Sequence, residues 1–425
     1  MADDSDFLIV RGAAGTGKTS IMKAVVSYLD AKDTNFQLLA PTGRAAKNIA
    51  SKTGYSAGTI HSTIYSVETD TEKAIVKFVL KLNIEEEHKV FIVDESSMIS
   101  DRISKQESFE MKDSLMSDFI KFIKQGAKSN KVIFVGDSCQ LPPVGYSNKE
   151  QPPALSVDYL TQKYSLCGSM IELSKVMRQA EGSYILDAAY QVREYILTPT
   201  KGRFGKKIGS FMGKPEQVAK LYIDSYNAKK QDAVAIIAYG NKYVSDCNNL
   251  VRSGLGLTGS ICEGDRIVLN QNYYGKSFAY VANGEVGEIK SIGSRNKIAD
   301  LSFVDVEVEF KDSLDLPFKV RTKVMLDTLQ DPKALTQEKK QALFAAAFRN
   351  NPVFRQSNKI WDDEYLSAMQ VSYGHAFTCH KAQGSEWDTV LLNTWSPDDD
   401  YRFLYTGVTR ARKNIFTNSG HLMGK

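Results

Sequence analysis

Short, largely apolar runs recur through the first half of the chain and alternate with segments of helical spacing. The runs lie at 7–10, 37–40, 90–93 and 132–135, and the segment 20–30 places Ile21, Ala24, Val25 and Leu29 on one helical face. Strands that are apolar at every position are typical of parallel sheets covered on both faces. The pattern predicts an α/β fold with a parallel sheet.

The pattern repeats after about residue 171 and is interrupted twice by other textures. Apolar runs at 233–238 and 389–392 indicate a second α/β set, while 63–89 suggests a small β-hairpin. Strict alternation at 304–310 favours a small antiparallel barrel, and 337–348 is rich in strong helix formers. We therefore expect an inserted barrel domain with a helical segment.

These textures divide the chain into six segments. The first α/β domain would comprise 1–62 and 90–170, separated by the hairpin insertion 63–89. The second α/β domain would comprise 171–261 and 371–425, separated by the inserted barrel 262–370. Each α/β domain would thus be interrupted once.

Composition adds limits without indicating a partner. The 425 residues are 42% hydrophobic, enough for several cores, and 54 basic against 50 acidic residues give a net charge of only +4. The five cysteines form no CxxC pair, so a structural zinc site is not expected. Neither a signal peptide nor an apolar run of about 18 residues is present. We expect a soluble, cytoplasmic protein with reduced thiols and no membrane contact.

The strongest chemical motif lies between the first predicted strand and the first predicted helix. Residues 12–19 fit GxxxxGK[ST], a loop whose backbone N–H groups surround phosphates. In such a loop Lys18 reaches the β and γ oxygens and Thr19 offers its hydroxyl to Mg²⁺. The predicted nucleotide-binding residues here are Gly12, Ala13, Ala14, Gly15, Thr16, Gly17, Lys18, Thr19 and Ser20.

Two further strands end in polar side chains. Asp94 and Glu95 follow the run at 90–93, where Asp94 would hold Mg²⁺ and Glu95 would polarise the attacking water as general base. Taken alone, such a pair is more often a solvated strand end. Asp137 and Gln140 follow the run at 132–135. They could sense the γ-phosphate, but the residues themselves do not assign that role.

Five more segments, at 39–46, 59–61, 173–179, 378–387 and 405–411, complete a set of motifs in a recognisable order. Together they resemble the superfamily-one DNA helicases of the RecD-like branch, which includes the Dda helicases and is close to the PIF family. The resemblance covers nearly the whole chain. It implies two RecA-like domains with ATP and Mg²⁺ in the cleft between them, and an SH3-like barrel inserted in the second.

The resemblance also implies roles for individual residues at the cleft. Arg178 and Arg410 would be arginine fingers, and Gln383, Gly384 and Glu386 would belong to a segment that couples the cleft to DNA. The implied catalytic set is Lys18, Glu95, Gln140, Arg178 and Arg410, and the implied nucleotide contacts outside the loop are Asp94, Glu95, Gln140, Arg178, Gly384, Glu386 and Arg410. Without these motifs, a surface salt bridge would be the ordinary role of either arginine.

On the DNA side, the resemblance implies contacts from Pro41, Thr42, Arg44, Thr59, His61 and His380. For His61, a satisfied surface or core histidine is an equal alternative. The hairpin near Phe78 would be the strand-separating pin. The aromatic residues of the barrel, Tyr273, Tyr274, Phe278 and Tyr280, could stack on bases, although barrel core is their more common role.

The implied function is an ATP-dependent helicase that translocates on single-stranded DNA, 5′ to 3′, and acts at single-strand/double-strand junctions. The chain would act as a monomer with repair or replication partners. Two alternatives are a PIF-family helicase and an ATP-regulated DNA-binding subunit of a recombination or repair complex without strong unwinding. Eleven residues precede Gly12 and none is Gln, so the adenine-contacting glutamine of the family has no counterpart, and either an N-terminal segment is missing or adenine is held otherwise.

Overall fold

The structure is a computed structural model of the chain. It describes residues 4–70, 73–103, 109–147, 149–174, 184–198, 209–210, 213–229, 233–275, 280–312, 316–329, 331, 334–397 and 400–418. Among these residues, no helix combines the length and the apolar character that crossing a bilayer would require.

Strands and helices alternate through the first 173 residues. In order they are β1 (Phe7–Gly12), α1 (Lys18–Ala31), β2 (Asn35–Ala40), α2 (Gly43–Thr53), β3 (Ala57–Thr59), α3 (Ile60–Ile64), β4 (Tyr65–Asp70), β5 (Ile75–Leu80), β6 (Lys89–Val93), β7 (Phe109–Glu110), α4 (Leu115–Gln125), β8 (Lys131–Gly136), α5 (Val157–Tyr164) and β9 (Gly168–Leu173).

The remainder of the chain contains a run of strands between two α/β segments. In order the elements are α6 (Tyr184–Leu197), β10 (Gly209–Ser210), α7 (Pro215–Lys229), β11 (Val234–Ala238), α8 (Asn241–Gly254), β12 (Arg266–Leu269), β13 (Tyr273–Tyr274), β14 (Tyr280–Val281), β15 (Val286–Ile298), β16 (Leu301–Lys311), β17 (Pro317–Met325), α9 (Gln337–Asn350), α10 (Pro352–Ser357), β18 (Met369–Tyr373), β19 (Ala376–Thr378), α11 (Cys379–Ala382), β20 (Trp387–Leu392), α12 (Tyr401–Val408) and β21 (Ala411–Thr417).

The first sheet is parallel and has the strand order β3-β2-β6-β8-β1-β9. Because the carboxyl ends of parallel strands meet at one edge, the loops after β1, β2, β6 and β8 lie together there. The strand β9 pairs with β1, so the first sheet continues through residue 170, where a domain limit was expected. A sequence pattern indicates a strand but not which sheet the strand joins.

The second sheet is also parallel, with the order β10-β21-β20-β11-β19. Its core includes Ala235, Val390 and Phe403, together with Cys139 and Leu141 from the loop after β8. The molecule is therefore a mixed α/β protein in which a loop of the first sheet is buried in the core of the second.

A closed barrel forms from β12, β15, β16, β17 and β18. In β16 the inward positions Val306, Val308 and Phe310 are buried while the intervening acids face outward, which is the period of a strand with one covered face. The sequence predicted an antiparallel barrel, and this is wrong for one pair, because β17 and β18 are parallel. A long helical excursion separates these two strands, as a parallel connection requires.

The hairpin β4–β5 is antiparallel, with Val67 opposite Phe78. Its turn contacts the helical segment between β17 and β18, since Gln337 Nε2 donates to the carbonyl of Lys73 at 2.7 Å. The hairpin is therefore held at both ends, at its base by the first domain and at its tip by α9.

Candidate active site

The loop between β1 and α1 is held in shape by hydrogen bonds among its own residues. Thr16 Oγ1 donates to the carbonyl of Ala13 at 2.8 Å, and Lys18 Nζ donates to the carbonyls of Gly12 (2.7 Å) and Ala13 (2.9 Å). A Cβ atom on Gly12 would lie 2.5 Å from Thr16 Oγ1 and 3.0 Å from Leu173 Cβ, so the first position of the motif has no space for a side chain. The amino group of Lys18 is thus held at the rim of a compact backbone ring.

The other predicted nucleotide contacts of this segment lie in the rest of the loop and in the first turn of α1. Gly15 and Gly17 have positive φ values of 82° and 86°, which glycine adopts without strain. Thr19 and Ser20 lie in the first turn of α1, whose free N–H groups point toward the loop. The arrangement has the backbone donors that bind a phosphate chain.

Asp94 and Glu95 stand at the carboxyl end of β6, in the neighbouring part of the same sheet edge. Burial and the adjacent Glu95 raise the pKa of Asp94 to about 6. Glu95 adopts a left-handed φ of 49°, and its N–H donates to Asp94 Oδ1 at 2.9 Å. A buried carboxylate whose charged form is disfavoured fits a position opposite a cation, and carboxylate and hydroxyl oxygens are the ligands that Mg²⁺ prefers. Thr19 and Asp94 therefore suit the expected ion.

Gln140 connects Glu95 to the second half of the chain. With its amide oriented to match its neighbours, Gln140 Nε2 donates to Glu95 Oε2 at 3.2 Å and its oxygen accepts from Arg410 Nη2 at 3.2 Å. Arg410 is buried, and its Nε donates to the carbonyl of Thr406 at 3.0 Å. Three of the five predicted catalytic residues thus form one line of hydrogen bonds. Arg178 lies outside the described residues.

A second connection crosses the cleft through a residue that the sequence reasoning did not single out. The hydroxyl of Tyr405 donates to Asp137 Oδ2 at 2.5 Å and accepts from the N–H of Ala14 at 3.1 Å. Burial and Asp137 raise the pKa of Tyr405 well above its ordinary value, so the hydroxyl keeps its proton. Tyr405 lies on α12 and is the first residue of the motif 405–411, which ends just after Arg410.

The loop after β8 makes further contacts with the second half. Thr406 Oγ1 accepts from the N–H of Leu141 at 2.9 Å, Gln383 Nε2 donates to the carbonyl of Leu141 at 3.1 Å, and Arg402 donates to the carbonyl of Ser138. The segment 137–141 is therefore held by hydrogen bonds to α12 and to the loop after α11. Of these partners, Gln383 was expected in a segment that couples the cleft to DNA, and Arg402 was not singled out by the sequence.

Gly384 and Glu386, predicted as nucleotide contacts, face α2. Gly384 has a φ of 74°, and a Cβ atom there would lie 3.0 Å from Ala45 Cβ. The carboxylate of Glu386 is 3.5 Å from Lys52 Nζ. Gly384 and Glu386 thus pack against α2 of the first domain, beside the cleft.

Four of the predicted DNA contacts lie at the ends of β2, β3 and β19. Thr42 and Thr59 cap helices, accepting from Ala45 N (3.2 Å) and Ser62 N (3.1 Å) respectively, and Pro41 precedes Thr42. His380 lies in α11, and burial lowers its pKa.

The other two predicted DNA contacts, His61 and Arg44, lie against aromatic rings. The ring of His61 is 5.7 Å from that of Tyr65 and 5.9 Å from that of Phe78, and burial lowers its pKa to about 4. Arg44 lies over the ring of Trp387.

The barrel presents aromatic residues near the same region. Tyr274 is 5.5 Å from Tyr280 and 6.5 Å from Trp361, ring centre to ring centre, whereas Tyr273 is part of the barrel core. The Tyr280 side chain also interacts with that of Thr59. Phe278 lies outside the described residues. Tyr274, Tyr280 and Trp361 thus form an aromatic group beside the end of β3, and Trp361 was not among the residues predicted to stack.

Comparison with known protein families gives two matches, one in the first 195 residues and one near the end of the chain. The model described as AAA domain matches residues 1–195, and the model described as UvrD-like helicase C-terminal domain matches residues 373–416. The first match contains the phosphate-binding loop, Asp94 and Gln140, and the second contains Gln383, Tyr405 and Arg410.

Among curated proteins, the chain is similar to the ATP-dependent RecD2 DNA helicase of Deinococcus radiodurans, with 24% identity over 96% of this chain and 46% of the relative. It is also similar to the ATP-dependent DNA helicase Pif1 of a Psychrobacter species, with 26% identity over 91% of this chain and 61% of the relative. The chain thus spans about half the length of the first relative and about three fifths of the second. The ATP-dependent DNA helicase dda of Enterobacteria phage T4 is 24% identical, over 96% of this chain and 93% of the relative.

Solved structures agree at the level of the fold. A structure of two coordinating Pif1 helicases, described as unwinding forked double-stranded DNA, has a TM-score of 0.52 and 16% identity, covering 98% of this chain and 88% of that one. Pif1 from Bacteroides, in complex with ADP-AlF3 and single-stranded DNA, has a TM-score of 0.51 and 15% identity, covering 98% and 89%. Residues 1–195 are thus similar to an AAA domain and residues 373–416 to a UvrD-like helicase C-terminal domain, and the chain as a whole is similar to the RecD2, Pif1 and Dda helicases.

Proposed function

We propose that the chain is an ATP-driven motor that moves along single-stranded DNA and unwinds duplexes at single-strand/double-strand junctions. The observation that carries this proposal is the line Glu95–Gln140–Arg410, in which a carboxylate of the first sheet is connected to a guanidinium of the second half. An arginine supplied from the opposite wall stabilises a transferring phosphoryl group only when the cleft is closed. Hydrolysis is then linked to the relative movement of the two halves.

In the proposed reaction each group has one task. Lys18 leaves the carbonyls of Gly12 and Ala13 and binds the β and γ oxygens, while Glu95 takes a proton from the attacking water. Mg²⁺ bound with ATP would neutralise charge on the β and γ phosphates, with Thr19 and Asp94 as the residues that hold it. Arg410 stabilises negative charge as it develops, together with Arg178 as the second predicted finger.

Release of phosphate is transmitted by the segment 137–141. This segment contacts Glu95 through Gln140 and contacts α12 through Tyr405 and Thr406. A change at the γ-phosphate therefore reaches α12 by two hydrogen-bonded routes. We assign the segment the role of reporting the nucleotide state to the second half.

We assign the DNA path to the surface formed by the ends of β2, β3 and β19. Hydroxyls and neutral histidines position a phosphate backbone without reading its sequence, which suits Thr42, Thr59, His61 and His380. The group Tyr274–Tyr280–Trp361 supplies a stacking surface beside it. The hairpin β4–β5 is then the pin at which strands separate, with Phe78 at its base.

We also propose the finer architecture and the polarity of the motor. The barrel is an SH3-like accessory domain inserted in the second of two RecA-like domains, with the six segments divided as expected from the sequence except that the first domain includes β9 and the barrel includes β18. The motor acts as a monomer and moves 5′ to 3′. The polarity rests on the resemblance to the RecD-like branch.

The decisive experiment is steady-state ATP hydrolysis with and without single-stranded DNA. Lys18→Ala is compared with Lys32→Ala, an exposed lysine at the end of the same helix. The proposal requires a DNA-stimulated rate that Lys18→Ala abolishes and Lys32→Ala preserves. Duplexes with 5′ or 3′ tails then report polarity. Nucleotide and DNA binding without a stimulated rate would instead favour an ATP-regulated DNA-binding subunit.

A further inference from the structure

Arg44, on the first turn of α2, lies against the second half of the molecule. Its guanidinium carbon is 4.9 Å from the ring centre of Trp387 and 6.0 Å from that of Phe377. The two rings are themselves 5.3 Å apart, and Trp387 is 1% exposed. The Nη1 atom of Arg44 is buried, and a guanidinium over an indole ring is the strongest common form of the cation–π contact.

The rest of α2 follows the same surface. Ala45 touches Gly384, and Lys52 lies 3.5 Å from Glu386. The helix therefore packs along 384–387 over its first three turns. It also begins directly after Pro41 and Thr42, two of the residues assigned to the DNA path.

From Trp387 a continuous set of contacts leads to the catalytic carboxylate. The N–H of Trp387 donates to the carbonyl of Arg410 at 2.9 Å, where β20 and β21 pair. The guanidinium of Arg410 then reaches Gln140, and Gln140 reaches Glu95. Any displacement of Trp387 therefore acts on the backbone that carries Arg410.

We propose that Arg44 is a positioning residue that couples DNA bound at the end of β2 to the placement of Arg410, and that it does not act as a phosphate contact. The inference rests on the proposed function and deepens it. DNA that orders Pro41 and Thr42 fixes the position of the first turn of α2. The stacked guanidinium of Arg44 then holds Trp387 in the matching position. The contact depends on a planar guanidinium, because a lysine ammonium is a compact, strongly hydrated charge that stacks poorly.

The test compares Arg44→Lys and Arg44→Met with the parent chain and with Lys23→Met, which removes one exposed positive charge from α1. Two quantities are measured for each protein. The first is kcat and KM for ATP with and without a labelled oligo-dT strand. The second is the affinity for that strand by fluorescence anisotropy, without nucleotide, at several salt concentrations.

We expect both Arg44 variants to lose about tenfold in the ratio of DNA-stimulated to basal kcat, a factor equivalent to about 1.4 kcal/mol. Their DNA affinity and its salt dependence stay at the parental values, as do all values of Lys23→Met. A phosphate contact behaves differently, because its loss lowers the salt slope by about one.

Two results would overturn the inference. One is Arg44→Lys with parental stimulation, and the other is an Arg44→Met salt slope reduced by about one. A parent chain without DNA stimulation would instead refute the proposed function itself. Arg44→Lys, the milder change, keeps the test valid if thermal melting shows that Arg44→Met is unfolded.

Discussion

Removing the hydroxyl of Tyr405 tests whether the cleft is held closed by the contacts of α12 with the phosphate-binding loop and with the segment 137–141. In Tyr405→Phe, Asp137 Oδ2 loses its donor inside the protein, where Asp137 is 1% exposed, and Asp137 Oδ1 keeps its bond from Cys139 N at 3.0 Å. Hydrogen bonds to charged groups contribute about 1.5–3 kcal/mol. Because the bond joins the two halves, its loss destabilises the closed arrangement of the cleft.

The expected loss in kcat/KM for ATP is therefore about 10- to 150-fold, since each 1.4 kcal/mol corresponds to a factor of ten. The pKa of Tyr405 is raised well above its ordinary value by burial and Asp137, so the hydroxyl donates throughout the neutral range and the loss is the same at pH 6.5 and pH 8.5. Steady-state ATPase assays at both pH values measure this.

The control is Tyr28→Phe, which removes a hydroxyl from a side chain that is 63% exposed on α1. It is expected to match the parent. A Tyr405→Phe protein whose kcat/KM stays within twofold of the parent would refute the reasoning. So would a loss matched by a large drop in melting temperature, because the hydroxyl would then hold the fold rather than the closed cleft.

Three other changes have defined outcomes. Burial lowers the pKa of His61 to about 4, so on acidification this histidine is protonated in the unfolded chain before it is protonated in the folded protein. Its contribution to the free energy of unfolding is therefore complete above about pH 6.5 and is lost as the pH falls toward 4. His61→Phe should flatten that part of the pH dependence of the urea midpoint. Arg252→Met leaves Asp265, which is 0% exposed, without its partner at 2.6 Å and should cost about 3–5 kcal/mol in urea unfolding, whereas adding Asp265→Leu should restore part of it. Gly12→Ala should weaken ADP binding measured by calorimetry, because its Cβ would lie 2.5 Å from Thr16 Oγ1 and 3.0 Å from Leu173 Cβ and would displace the loop; Gly240→Ala, with open space around it, should bind ADP as the parent does.

Local patterns predicted the elements well where the signal is local. The apolar runs at 37–40, 90–93 and 132–135 lie within β2, β6 and β8, and the helix expected at 337–348 is α9. The loop at 12–19 lies between a strand and a helix because its motif specifies both neighbours. Hydrophobic period and turn chemistry are properties of neighbouring residues, so a single sequence contains them.

What the sequence left open depends on contacts between distant positions. Tyr405 and Ala14 are 391 positions apart, and no local pattern indicates that their atoms meet. The same holds for the pairing of β9 with β1 and for the parallel closure of the barrel by β18. Arg44 shows the limit most clearly, because its motif suggested DNA while its nearest aromatic partner is Trp387. The roles of the individual site residues stay predictions until variants are measured.

The position of β18 has a consequence for synthesis on the ribosome. The barrel cannot close until residues 369–373 have emerged, and the second sheet lacks β19, β20 and β21 until even later. The first sheet is complete at Leu173, so it can fold while more than half of the chain is still to be made. Until β18, β19 and β20 have been made, the edges of β11 and β17 that these strands cover are exposed together. We expect nascent chains stalled between residues 330 and 365 to be the most prone to aggregation and the most dependent on chaperones.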